Sequence, residues 1–145
     1  MVSIDELHKQ NHEIGELAKV LTHLFSDREM CDTDIACELF DRYRDKFDRH
    51  VKRNKRIYSL LLSDGGSDGA KTAHRFIEGE KEVKRVFRDY TEKWCKHGLH
   101  IYDHGAFMGD TEDMFRLVWD RIQAESEQLY PLARRVVEGE AEEVA

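Results

Sequence analysis

Arg121–Ala133 reads RIQAESEQLYPLA, and the reading of this stretch decides the fold. Ile122, Leu129 and Leu132 fall where a helix would turn them towards a core. Arg121 and Glu125 lie one turn apart at the margin of the same face. Two opposite charges aimed at an interior need each other, because an unpaired charge is too costly to bury.

The same period runs outward through the chain. Ile4, Leu7, Asn11, Ile14, Ala18, Leu21 and Phe25 share one face of a first helix. Ala36, Leu39, Phe40, Tyr43, Phe47, His50, Asn54, Ile57 and Leu61 share one face of a second. A third carries Phe76, Val83, Val86, Phe87, Tyr90 and Trp94, and a fourth Met114, Val118, Ile122, Glu125, Leu129, Ala133 and Val136. These are steps of three and four, the helix period. Breaker clusters at Ser26–Asp34, Ser63–Gly69 and Lys96–Asp110 leave helices over about 4–26, 33–62, 69–97 and 111–137, the last capped by Asp110. No segment alternates with period two. The expectation is an all-α fold, an antiparallel up-down four-helix bundle over residues 1–138. The acidic end EGEAEEVA, 139–145, is expected to be unstructured.

Composition narrows the function. The 145 residues suit one domain with one core. A net charge of −7 argues against nucleic acid as a partner. The basic run RHVKRNKR, Arg49–Arg56, reads as a solvated helix face. No apolar run approaches a membrane span, and MVSIDELHKQ has no secretory pattern. Cys31, Cys37 and Cys95 are an odd number without a disulfide framework, which fits reduced thiols in a cytoplasm. No nucleophile elbow, phosphate loop or dinucleotide fingerprint is present, so no enzyme is expected.

Two stretches echo each other. DRHVKRNKRIYSLL ends the second helix and DRIQAESEQLYPLA ends the fourth. Each has Asp-Arg, then Ile or Leu eight residues on, then Tyr, then Leu two further. With the bundle and ExxxLYPLA, this half-repeat resembles the hemerythrin-like cation-binding domains, over nearly the whole chain. That resemblance implies a di-iron centre held by one His on the first helix, His-x-x-x-Glu on the second, one His on the third and His-x-x-x-Glu on the fourth. Carried over residue by residue, the ligand positions fall on Asn11, on His50 and Asn54, on Ala73 or Phe76, and on Arg121 and Glu125. Matching IYS to LYP instead puts the second-helix pair on Arg49 and Arg53.

One histidine and one carboxylate remain of the usual six, and a guanidinium has no lone pair to offer a metal. Arg121 therefore reads as a built-in cation paired with Glu125, in a polar cluster with Asn11, His50 and Asn54 at a former metal position. The expectation is no cofactor and a non-catalytic regulatory or protein-interaction module. The alternative keeps two iron ions on His8, His12, His50, His74 and Glu125, through a register shift or a one-residue bulge, for dioxygen or nitric oxide binding or for iron sensing. A third reading is a small zinc site on Cys95, His97, His100 and His104 in the loop WCKHGLHIYDHGAF, although its spacing fits no zinc-finger template.

Overall fold

The computed structural model describes residues 3–144 apart from His97. Among the described residues the chain is helical, with no strand. Helix α1 spans Ile4–Phe25, a single turn α2 spans Arg28–Cys31, α3 spans Asp34–Asp64 and α4 spans Gly66–Trp94. Helix α5 spans His104–Ala124, a π-helical turn spans Glu125–Leu129, and α6 spans Tyr130–Val144. Four long helical segments result, because α5 passes through the π turn into α6. Side chains cap the starts of three of the long helices: Ser3 accepts from Glu6 N, Thr33 from Ala36 N and Asp103 from Ala106 N.

Helix α3 packs against both α1 and α4, and α5 packs against α1 and α4. The apolar faces read from the period are the ones buried. Leu7, Ile14, Leu21 and Phe25 of α1 go inside, as do Phe40, Tyr43, Phe47, Ile57 and Leu61 of α3. So do Phe76, Val83, Tyr90 and Trp94 of α4, and Met114, Val118, Ile122, Leu129 and Ala133 of the last segment. Arg49, Lys52 and Arg53 lie exposed, as a solvated face should. Among the described residues no helix is long and apolar enough to cross a membrane.

Three boundaries differ from the sequence reading. The fourth segment begins at His104, not near 111, because Asp103 and not Asp110 supplies the cap. Asp110 instead accepts hydrogen bonds from Trp94 Nε1 and Lys93 Nζ, both at 3.0 Å, and Phe107 becomes fully buried. The segment SDREMCDTD contains the turn α2, capped by Asp27. The acidic end continues α6 as far as Val144, where the sequence reading left it unstructured, and Ala145 lies outside the described residues.

The interior falls into two apolar clusters. One gathers Ile14, Phe25, Phe40, Tyr43, Phe47, Trp94 and Phe107 with their neighbours. The other gathers Leu7, Ile57, Leu61, Phe76, Leu129 and Tyr130. Thr111 apart, which pairs with Tyr90 inside the first cluster, the buried polar residues of the long segments lie between the two. Asn11 falls between Leu7 and Ile14, and His50 and Asn54 fall between Phe47 and Ile57. Glu125 falls between Ile122 and Leu129. A polar layer thus crosses an otherwise apolar interior.

Candidate functional site

Glu125 is the centre of that layer and is 2% exposed. His50 Nε2 donates to its Oε1 at 2.7 Å, and the Tyr130 hydroxyl donates to the same oxygen at 2.9 Å. Asn54 Nδ2 and Arg121 Nε each donate to Oε2 at 3.0 Å. A carboxylate offers about four lone-pair directions, and protein donors take up all of them. Burial opposes ionisation of Glu125, but the His50 and Tyr130 hydrogen bonds and the Arg121 guanidinium outweigh it and hold the carboxyl below its ordinary value. Burial, followed by the Glu125 charge, pushes the Tyr130 phenol up, so Tyr130 stays a donor.

His50 is fully buried. Its Nδ1 meets the Gln10 amide at 2.9 Å. The Gln10 amide is best turned with its nitrogen donating to Nδ1 and its oxygen facing Arg53. The ring proton then sits on Nε2, directed at Glu125. The single Tyr130 hydroxyl proton is shared between Glu125 Oε1 and Asn54 Oδ1, each 2.9 Å away. Asn11 is 4% exposed and lies beside Tyr130, yet neither of its amide atoms reaches a well-formed hydrogen bond.

The Arg121 side chain is 9% exposed, and each of its three nitrogens donates a hydrogen bond. Besides Glu125, its Nη1 donates to the Phe76 carbonyl at 2.7 Å and its Nη2 to the Tyr58 hydroxyl. The guanidinium lies 4.8 Å from the centre of the Phe76 ring, a cation–π contact. Gly79 leaves it room: a Cβ there would come within 3.0 Å of Nη1. Beyond Tyr58 the chain of polar contacts reaches Glu80, which is 7% exposed and 3.6 Å from Lys84.

The π turn explains how Tyr130 joins the layer. In a regular helix a residue five positions on lies about 140° round the axis. The turn at Glu125–Leu129 instead closes with Tyr130 N–H on the Glu125 carbonyl, an i→i+5 bond. That widening carries the Tyr130 side chain back over Glu125. Pro131 follows directly, and a proline inside a helix crowds the carbonyl four residues earlier. A wider turn ahead of it relieves that crowding.

The π turn also resolves the two registers of the half-repeat. On α3 the inward set is His50, Asn54 and Tyr58, each four residues apart. On the last segment it is Arg121, Glu125 and Tyr130, with one extra residue in the second step. Matching tyrosine to tyrosine therefore displaces the second-helix pair by one, onto the exposed Arg49 and Arg53. Tyr58 and Tyr130, which served only to align the halves, are members of the site. Gln10, Gly79 and Glu80 were also missed. The signal available for the tyrosines was that one-residue difference in spacing.

The polar cluster read from the sequence, Asn11, His50, Asn54, Arg121 and Glu125, is brought together. Ala73 and Phe76 are both buried, and of the two it is Phe76 that touches Arg121. The set proposed for two irons is not brought together. His12 and His74 lie on exposed faces, because each is out of phase with the apolar stripe of its helix. His8 lies edge-on to Tyr130, with ring centres 5.0 Å apart. Only His50 and Glu125 of that set touch. The donor set does not fit a pair of metal ions: it offers one imidazole and one carboxylate, already bonded to each other, beside a fixed guanidinium. Of the loop residues, His104 Nε2 meets the Phe25 carbonyl at 2.8 Å, His100 is exposed, and burial pushes the Cys95 thiol up to about 12. His97 lies outside the described residues. Among the described residues no three His, Cys, Asp or Glu side chains are grouped to hold a metal.

No protein-family model, curated protein or solved structure matches the chain.

Proposed function

We propose that the chain is an up-down four-helix module of hemerythrin-like type in which a fixed arginine replaces the metal centre, and that it works by binding another protein, not by catalysis. The observation that carries the reading is the saturation of Glu125 by His50, Tyr130, Asn54 and Arg121. A carboxylate so engaged has no free lone pair for a metal or for moving a proton to a substrate. The guanidinium also repels cations where the resemblance calls for iron. Short connections between the long helices favour the up-down order. The cytoplasmic setting drawn from the three free thiols belongs to the same proposal.

The test is elemental analysis and absorption spectroscopy of protein purified from iron-supplemented cells. The protein should be colourless, with far less than one iron per chain. Charge-transfer absorption in the near ultraviolet with about two irons per chain would require Arg121 to swing away from Glu125, and would overturn the reading.

A further inference from the structure

Two open grooves flank the long helices, and their charges differ. The groove between α3 and α4, about 560 Å³, mixes Asp41, Asp45 and Asp48 with Arg44, Lys84 and Arg88. The groove between α1 and α5, about 640 Å³, has an apolar lining of Ala18, Phe115 and Trp119. Its charged or titratable lining residues are Lys19, His23 and Arg116, with no acid among them. In a chain of net charge −7 such a stretch stands out, and it complements an acidic partner.

Its centre is prepared for contact. Trp119 is 46% exposed, and one edge of its ring sits close against α1 at Gly15, where a Cβ would come within 3.1 Å of Cζ3. A large aromatic side chain held in place before binding loses little freedom on binding, and tryptophan and arginine are frequent anchors of protein interfaces. Among the described residues no acid pairs with Arg116. Lys19 pairs with Glu16 at 3.1 Å, but both are well exposed, so the pair is weak and easily exchanged. Beyond Gly15 the groove continues into a polar stretch with His8, His12, Gln123 and Ser126, where Glu16 is the one acid, floored by Asn11.

We infer that the α1–α5 groove docks a peptide segment of a partner protein: an apolar or aromatic side chain lies on Trp119 and Phe115, and flanking acidic residues meet Lys19 and Arg116. This rests on the binding-module reading above and names its surface and partner chemistry.

The experiment is a display selection of random peptides of about twelve residues against the full chain. The best peptides are then synthesised with a fluorescent label and titrated by anisotropy. Selected sequences should carry Trp, Phe or Leu flanked by Asp or Glu. Affinity should fall at least about tenfold in Trp119→Ala and in Lys19→Glu with Arg116→Glu, and fall with added salt. Arg44→Glu with Lys84→Glu, in the other groove, should leave it unchanged. Circular dichroism of each variant separates lost binding from lost fold. No binder, binders without acidic residues, or binders indifferent to the α1–α5 changes would overturn the inference. So would self-association abolished by Lys19→Glu with Arg116→Glu, since a second copy would then fill the groove. Metal-free protein that binds no such peptide breaks this inference alone, whereas iron-loaded protein that does bind breaks only the earlier reading.

Discussion

The aromatic cluster and the polar layer lie in the same interior and are held by different physics. Around Phe40, Tyr43, Phe87 and Tyr90 the rings stack and tilt at centre distances of 5.4–6.3 Å. That packing is driven by area removed from water and has little directional demand. In the layer around Glu125 each donor has a particular acceptor, and a lost member leaves its partner buried and unpaired. The aromatic cluster can lose a contact and relax around it. The layer fails as a unit.

The largest effect expected from that contrast is at Arg121. Removing it leaves the buried Glu125 carboxylate without its guanidinium partner, and breaking a buried pair from one side costs on the order of 3–5 kcal/mol. Glu125→Ala should also destabilise. Arg121→Ala with Glu125→Ala should cost less than the sum of the two, because neither charge is then left alone. Urea unfolding of the four proteins measures this. A single variant with the wild-type midpoint would mean the layer is not held by this pair.

Asn11 should show the opposite sign. Its amide is buried with both atoms unpaired, which costs roughly 1–3 kcal/mol. Asn11→Leu, of similar size, should therefore raise the unfolding midpoint by about 1 kcal/mol in stability. A lower midpoint would show that the amide is bonded within the layer after all.

The smallest effect sharpens the comparison at two glycines. Gly109 lies in α5 with nothing near a Cβ, so Gly109→Ala should stabilise by roughly 0.5–1 kcal/mol. Gly79→Ala gains the same helix propensity but drives a methyl against Arg121 Nη1, which cannot give way while it holds the Phe76 carbonyl. It should be neutral or destabilising. Equal gains at both positions, read from thermal unfolding, would show that the guanidinium is not fixed.

The sequence by itself determined the helices and their inward faces, because hydrophobic periodicity is local and survives without neighbours. Apolar phase set the register of Asn11, His50, Asn54 and Glu125, and the family resemblance, carried over on that register, grouped them with Arg121. The sequence reading misjudged the start of α5 because Asp103 and Asp110 are equally good caps on paper, and only the pairing of Asp110 with Trp94 removes it from the choice. Only the tertiary structure decided that Tyr130 closes on Glu125 and Tyr58 on Arg121. Those contacts depend on one widened turn before Pro131 and on helices meeting across the interior, and regular phase arithmetic contains neither.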